Sequence, residues 1–249
     1  MKAIVLSAGQ GRRLLPLTSE LPKCLLTLDR RRTVLQVQLE TLARCGFSRA
    51  LVATGFGAEH IESHLTSLRI PGLHIETVYN PFFAMSDNLM TCWITRAAMN
   101  EEFVLLNGDT IFEDEVLHRL LESAHDPVTV TTDRKHDYDD DDMKVALDGH
   151  GRVLAIGKTL APEVVGAESI GLLGFMGSGP KLFLEGLDRA VRRPGAMRRW
   201  YLSVIHELAE DDGVVGTTSI EGLWWREIDA SKDLSLAREE WLERGASAA

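Results

Sequence analysis

The feature that most constrains the fold is a regular alternation of short apolar runs with segments of helical periodicity. KAIVLSA, RALVATGF, LHIETVYN and EFVLLNGDTIF have the length and composition of buried strands. They alternate with TVLQVQLETLARCG, AEHIESHLTSL, DNLMTCWITRAAM and EDEVLHRLLESA, whose apolar residues recur at helical spacing. Ser86 or Asp87 is expected to cap the third of these helices. This order predicts a parallel sheet covered by helices on both faces.

The rhythm changes near residue 127. PVTVTTD, MKVALDGHGRVLAIGK and SIGLLGFMG predict further strands with hairpin-type connections, and two helices, a last strand and a closing helix follow. No internal repeat or linker interrupts the chain. We therefore predict a single α/β domain over residues 1–249, with a Rossmann-like, mixed but mainly parallel sheet. Its two halves are residues 1–126 and 127–240.

A glycine turn with two arginines follows the first strand, in the sequence LSAGQGRR. Ligands of open α/β sheets bind at this edge, and the backbone N–H groups of such a turn can bind an anion. The arginines add forked donors that suit phosphate. Leu14 stands where a dinucleotide-binding motif would have its third glycine, and the Walker pattern is also absent, so both folds are disfavoured. The alternative is a tight turn with surface arginines.

The longer stretch LSAGQGRRLLPLTSELPKCLLTL resembles the G-x-G-x-R-L-x-P-L-T…P-K signature of nucleotidyltransferases that activate sugar phosphates and related phosphorylated molecules. Ala8 and Arg12 depart from the commonest pattern. The resemblance implies a nucleotide-diphospho-sugar transferase fold, with residues 1–126 binding the nucleotide and residues 127–240 the acceptor. It implies catalytic roles for Arg13 and Lys23, which would neutralise the triphosphate. The implied nucleotide contacts in this stretch are Leu6, Ala8, Gly9, Gln10, Gly11, Arg12, Arg13 and Lys23.

Two acidic positions are candidates for a metal. Asp109 follows a buried strand, where the resemblance implies a metal ligand that also touches the nucleotide; a plain turn in NGD is the alternative. Glu227 and Asp229 alternate with Ile228 and can point to one side of a strand. A similar acidic pair binds metal in the phosphocholine cytidylyltransferase branch, so Asp229, with Glu227 as helper, is the second candidate. Magnesium is the expected cofactor.

The segment YNPFFAMSDNLMTCWI resembles the stretch beside the base in cytidylyltransferases for phosphocholine, inositol phosphate and phosphonates. It implies base contacts from Ser86 and Asn88, and favours CTP over UTP or dTTP. In the region where the family builds its acceptor pocket, Lys144 and Lys158 are candidates for the acceptor phosphate, and Glu168 for a polar or cationic group.

Two further groups of residues bear on the acceptor. The run DYDDDDM at 137–143 lacks the pattern of a calcium loop and is expected to be a solvated loop over the acceptor pocket. Its carboxylates could select a cationic acceptor. Four aromatic residues could form a cation–π site, although the core is the favoured place for them. They are Trp200, Tyr201, Trp224 and Trp225.

Composition narrows the partners. The net charge of −10 argues against a nucleic-acid partner, and no apolar run is long enough to span a membrane. Residues 1–50 carry +6, whereas the rest carries −16, which suits a polyanion site beside acidic metal ligands. Three widely spaced cysteines favour reduced thiols in the cytoplasm.

The resulting prediction is a Mg²⁺-dependent cytidylyltransferase that transfers CMP from CTP to a phosphorylated or phosphonate small molecule and releases pyrophosphate. The resemblance also leaves room for a homodimer. The first alternative is a sugar-1-phosphate uridylyl- or thymidylyltransferase. A catalytically silent nucleotide-binding regulator is the alternative of another class, and the retention of Arg13, Lys23, Asp109 and Asp229 argues against it.

Overall fold

The computed structural model describes residues 1–211 and 214–247. Helices and strands alternate through the first half as predicted. The strands are β1 (Lys2–Ser7), β2 (Arg49–Thr54), β3 (His74–Tyr79), β4 (Phe103–Asn107), β5 (Thr110–Phe112), β6 (Val128–Asp133), β7 (Lys144–Leu147), β8 (Val153–Gly157), β9 (Ala167–Phe175), β10 (Val215–Ser219) and β11 (Trp225–Glu227). The α-helices are α1 (Val34–Arg44), α2 (Ala58–Ser67), α3 (Asn88–Thr95), α4 (Asp114–Ser123), α5 (Gly179–Val191), α6 (Leu202–Ala209) and α7 (Ser231–Ser247).

The main sheet has the strand order β10-β6-β9-β4-β1-β2-β3, and β7 joins it by pairing with β9 and β8. Strands β1 to β4 run parallel, whereas β9 is antiparallel to both β4 and β6. The sheet is therefore mixed and mainly parallel, which confirms the predicted fold class.

Alternate residues of the central strands pack into two apolar layers, one on each face of the sheet. In β1, Ile4 packs into the layer that contains α3, α5 and α6, whereas Ala3 and Val5 pack into the layer that contains α1, α2 and α4. In β4, Leu105 and Leu106 divide between the layers in the same way. This period of two explains why the runs are continuously apolar: both faces of each strand are buried.

The prediction that EFVLLNGDTIF forms one strand is wrong. The segment makes two strands, because the chain turns at Gly108 and leaves the main sheet. A Cβ at Gly108 would lie 2.6 Å from the Leu6 carbonyl oxygen, so only glycine permits this close approach to β1. Strand β5 then pairs with β11 in a separate antiparallel ribbon, in which Glu227 lies opposite Thr110. The turn thereby brings Asp109 beside the C-terminal acidic residues.

Two smaller expectations concern the thiols and the membrane. Cys24 and Cys92 are buried and Cys45 is half-buried, all three as free thiols. Within residues 1–211 and 214–247, no helix combines the length and apolar character needed to cross a membrane.

Candidate active site

The glycine turn is built by its own backbone and by one buried hydroxyl. Gly11 adopts a left-handed conformation with φ of 73°, and a Cβ there would lie 2.9 Å from side-chain carbons of Lys23. Both features require glycine. Thr18 is fully buried and donates its hydroxyl hydrogen to the Gly11 carbonyl at 2.8 Å. The Gln10 amide donates to the Thr18 carbonyl at 3.2 Å, so Gln10 braces the turn.

Two cations on this turn and just after it are bridged by one carboxylate. The Lys23 ammonium lies 2.6 Å from Asp229 Oδ1 and 2.7 Å from Asp109 Oδ2. The Arg13 guanidinium lies 2.6 Å from Asp229 Oδ2 and 2.5 Å from a carboxylate oxygen of Asp141. Burial alone would lower the pKa of Lys23, but Asp109 and Asp229 outweigh it and raise the pKa. Lys23 is therefore a permanent positive charge.

Asp109, Glu227 and Asp229 form a carboxylate triad, with one oxygen of each within 4.8 Å of the others. Desolvation of its carboxylate within the triad and the charges of Asp109 and Asp229 raise the pKa of Glu227, although the residue as a whole is exposed. The pKa of Asp229 is lowered, because Lys23 and Arg13 outweigh the effect of its burial. Oxygen Oδ1 of Asp109 is buried and has no hydrogen-bond partner within the described residues. Three hard oxygen donors with one unused buried oxygen fit a magnesium ion.

A cavity of about 410 Å³ opens between the glycine turn and the triad. Its lining includes ten of the eleven residues that the resemblance assigned to the nucleotide; Gln10 is the one that braces the turn instead. The ten are Leu6, Ala8, Gly9, Gly11, Arg12, Arg13, Lys23, Ser86, Asn88 and Asp109. Asp229 lines the same cavity, so cationic, acidic and amide groups share one cavity.

The family of the chain follows from a comparison over most of its length. Residues 3–218 match the family model of the MobA-like NTP transferase domain. The chain belongs to this family. It is therefore a nucleotidyltransferase, and the turn, the two cations and the cavity all lie within or beside the matched region.

Three proteins with which this nucleotidyltransferase shares sequence or fold are enzymes of cytidine nucleotides by name. It is 23% identical over 260 residues to a CTP:phosphoglutamine cytidylyltransferase of Campylobacter jejuni, covering 96% of this chain and 100% of the relative. It is 33% identical over 120 residues to a CMP-5'-(3-aminopropyl)phosphonate synthase of Streptomyces rubellomurinus, a match that covers 48% of this chain but 19% of the relative. The inositol-1-phosphate CTP transferase of T. maritima has the same fold, with a TM-score of 0.79 at 20% identity over 96% of this chain and 93% of the other.

In the nucleotidyltransferase, neither Ser86 nor Asp87 caps α3 with a side-chain hydrogen bond. Asp87 stands at the N-cap of α3 without a side-chain hydrogen bond to it, and the Ser86 hydroxyl donates to the Phe82 carbonyl at 2.9 Å. The predicted side-chain cap is therefore wrong. Asn88 accepts the backbone N–H of Tyr201 at 2.9 Å through Oδ1. This bond fixes the amide so that its NH₂ remains available as a donor.

The residues predicted for the acceptor lie in three different settings. Lys144 is buried, and its ammonium donates to the backbone carbonyls of Asp139 and Lys158, so it supports the fold. Lys158 lies 3.2 Å from Asp141 and 5.0 Å from the centre of the ring of Trp200, which lines the cavity. Glu168 is buried and pairs with Lys135 at 2.7 Å. Burial raises the pKa of Glu168 to about 7, although Lys135 opposes this shift.

The four aromatic residues divide between the core and the site. Tyr201 is fully buried, and Trp224 and Trp225 are half-buried with their indole N–H groups donating to Glu240 and Asp133. Trp200 is 41% exposed and lines the cavity, so the expectation that it belongs to the core is wrong.

Several lining residues have no counterpart in the sequence prediction. They include Ser7, Phe83, Thr91 and Asn107. Asn107 is the instructive case, because it accepts a hydrogen bond from the Tyr201 hydroxyl at 3.2 Å. Its place at the end of a buried strand, just before Gly108 and Asp109, is the signal that could have identified it.

Proposed function

We propose that the protein is a Mg²⁺-dependent cytidylyltransferase that uses CTP and a phosphorylated or phosphonate small molecule. An acceptor oxygen forms a bond to the α-phosphorus of CTP, and the bond from that phosphorus to the bridging oxygen of pyrophosphate breaks. No covalent intermediate with the protein is needed. The observation that carries the proposal is the bridge of Asp229 between Arg13 and Lys23, beside Asp109 and within the glycine-turn cavity.

The chemistry asks for positioning and for stabilisation of negative charge rather than for a protein nucleophile. The turn around Gly11 would hold the triphosphate with its backbone. Lys23 and Arg13 would neutralise charge on the α-phosphate and on the departing pyrophosphate. Asp109 and Asp229, helped by Glu227, would hold Mg²⁺, which when bound supplies further charge neutralisation for the triphosphate.

The choice of CTP is supported by two observations. The curated relatives named above are enzymes of cytidine nucleotides. In addition, the NH₂ of Asn88 can donate to the O2 and N3 acceptors of cytosine, and the Ser86 oxygen can accept from its amino group. Uracil keeps the O2 acceptor but has a donor at N3 and an acceptor oxygen at position 4, so Ser86 would have to give up its bond to Phe82 in order to donate to that oxygen.

The reaction itself provides the test. Pyrophosphate release is measured with Mg²⁺, each of the common nucleoside triphosphates, and a panel of phosphate, phosphonate and sugar-phosphate acceptors. We expect release with CTP, and its loss in Asp109→Asn but not in Glu76→Gln, an exposed acid on strand β3. Release with UTP or dTTP and a sugar phosphate would replace this proposal. Nucleotide binding without release for any pair would contradict it in favour of a silent regulator.

The proposal carries two corollaries. CTP is a cytoplasmic metabolite, so the enzyme would act in the cytoplasm. Residues 1–126 would bind the nucleotide and residues 127–240 the acceptor within a single domain, working as a monomer or as a homodimer. The first half supplies the glycine turn and Asp109, whereas the second supplies Asp229 and Glu168.

A further inference from the structure

The connection between β6 and β7, residues 134–143, is here called the acidic segment. It forms a compact turn, because Asp139 Oδ1 accepts the backbone N–H groups of Asp141 at 2.7 Å and of Asp142 at 3.0 Å. The buried Lys144 ammonium donates a hydrogen bond to the carbonyl oxygen of Asp139. These bonds fix the position of Asp141 at the tip of the turn.

The acidic segment meets the site through one anion and one cation. Its anion is Asp141, whose two oxygens lie 2.5 Å from Arg13 and 3.2 Å from Lys158. Its cation is Lys135, whose ammonium lies 2.7 Å from Glu168 Oε2 and 2.8 Å from Asp142 Oδ1 in the same segment. Arg13 and Lys158 are two of the side chains that the sequence assigned to phosphates, and Glu168 is the one that it assigned to a polar or cationic group.

Glu168 carries a second, independent signal for a ligand. Its exposure is 2%, and its other oxygen, Oε1, is buried without a hydrogen-bond partner among the described residues. Leaving a buried carboxylate oxygen unpaired costs free energy, so such an oxygen is commonly explained by a donor that binds there. An ammonium group could reach both oxygens of Glu168 where Lys135 reaches one.

The contacts of Asp141 are suited to exchange. Asp141 and Arg13 are 62% and 51% exposed in their side chains, and an ion pair between exposed groups contributes about 0–1 kcal/mol. A phosphate or phosphonate carries more negative charge than a carboxylate and presents three oxygens, so it competes well for Arg13 and Lys158.

We propose that the acidic segment stands in for a zwitterionic acceptor: Asp141 takes the place of its phosphate or phosphonate, and Lys135 the place of its ammonium group. The acceptor class is then phosphates and phosphonates that bear an ammonium group. This inference rests on the proposed function, which by itself would also admit neutral acceptors such as polyol phosphates. A neutral acceptor would displace Asp141 and leave Lys135 on Glu168.

Binding without nucleotide tests the inference separately from catalysis. Titration calorimetry would compare 2-aminoethyl-, 3-aminopropyl- and 4-aminobutylphosphonate with ethyl-, propyl- and butylphosphonate. We expect the amine to strengthen binding by about tenfold for at least one chain length, a difference typical of one charge-assisted contact. Equal affinity across every matched pair, or no binding by any member, would overturn the proposal, even if CTP-dependent pyrophosphate release were observed.

Variants assign the two charges. Asp141→Asn removes the internal anion, so we expect roughly fivefold tighter binding of amino- and alkylphosphonates alike. The matched control is Asp140→Asn, since Asp140 is exposed and its side chain has no ion pair or hydrogen bond within the described residues. Glu168→Gln keeps the shape of the side chain and should abolish the preference for the amine. An unchanged preference in Glu168→Gln, or equal effects of Asp141→Asn and Asp140→Asn, would refute the assignment.

Discussion

Residues 1–126 hold the ion pair of Lys23 with Asp109 largely buried beside two glycine turns, whereas residues 127–240 contribute Asp141 and Lys135, whose side chains are more exposed. In the first half, Gly11 and Gly108 form the two turns. Lys23 packs against Gly11, Asp109 comes directly after Gly108, and the two charged groups pair with each other. In the second half, Asp141 and Lys135 stand on a connection whose contacts with the site are salt bridges.

We infer from this difference that the two halves have different roles. Under the proposed function every acceptor reacts with the same triphosphate, so a rigid arrangement of the groups around the triphosphate favours the reaction with all of them. Acceptors differ, and a segment held by exchangeable ion pairs can be altered without disturbing the sheet. Changes in the first half should therefore affect all acceptors alike, whereas changes in the second should affect them unequally.

The largest expected effect tests the rigid half. Lys23→Gln removes the buried cation that compensates Asp109 and Asp229, and we expect the kcat/KM for pyrophosphate release to fall by about a thousandfold with every acceptor. The carboxylates lose their partner, so the free energy of unfolding should fall by roughly 3 kcal/mol in urea titrations. Magnesium should restore stability more in the variant than in the wild type.

Lys181→Gln is the matched control, since Lys181 is 81% exposed and its one ion pair among the described residues is a long one, to Glu185. It should leave both measurements unchanged. Losses in Lys23→Gln that differ widely from one acceptor to another would contradict the proposed division between the halves.

The next effect concerns Glu168 and the pH dependence of stability. Burial raises the pKa of Glu168 to about 7, so the folded protein holds this proton more tightly than the unfolded chain. That contribution to stability is complete below the ordinary pKa of a glutamate and is lost as the pH rises through 7. Glu168→Gln cannot lose this proton, so its stability should not show the loss. Between pH 5 and pH 8, the unfolding free energy of the variant should therefore gain roughly 2–3 kcal/mol on that of the wild type.

Asp29→Asn provides the contrast. Burial opposes the shift, but hydrogen bonds from the backbone of Arg31 and from Arg32 lower the pKa of Asp29 to about 2. Its stabilisation is therefore complete above its ordinary pKa and lost only in acid, so the variant should differ from the wild type by a constant amount between pH 5 and pH 8. Urea titrations across this range would give a plot of unfolding free energy against pH for Asp29→Asn that runs parallel to that of the wild type. Parallel curves for Glu168→Gln as well would contradict the assigned pKa.

Much of the first half could be predicted because local patterns determine it. Apolar runs buried on both faces give the parallel strands, and the glycines and Thr18 of the signature form the turn that they encode. The triad was also accessible, since Glu227 and Asp229 alternate about Ile228. Its assembly was not, because the break of the predicted strand at Gly108 depends on a close approach to Leu6.

The second half was harder for a physical reason. Whether a lysine meets a ligand or a carbonyl depends on which residues the fold brings to its end, and nothing near Lys144 in the sequence shows that its ammonium meets Asp139 and Lys158. The same holds for Trp200, whose neighbour Tyr201 is fully buried while Trp200 lines the cavity. The spacing of residues predicts that the acidic segment is a loop, but it does not predict which residues the segment contacts.

The smallest of these effects tests the turn itself. Gly11→Ala forces a side chain into a left-handed conformation and against Lys23, so we expect the free energy of unfolding to fall by roughly 1–2 kcal/mol. Gly9→Ala is the control for stability, because a Cβ there meets nothing within 4 Å. Urea titration of both variants would separate the two positions. If Gly11→Ala were as stable as Gly9→Ala, the turn would be able to move, and the contrast between a rigid first half and an exchangeable second half would lose its basis.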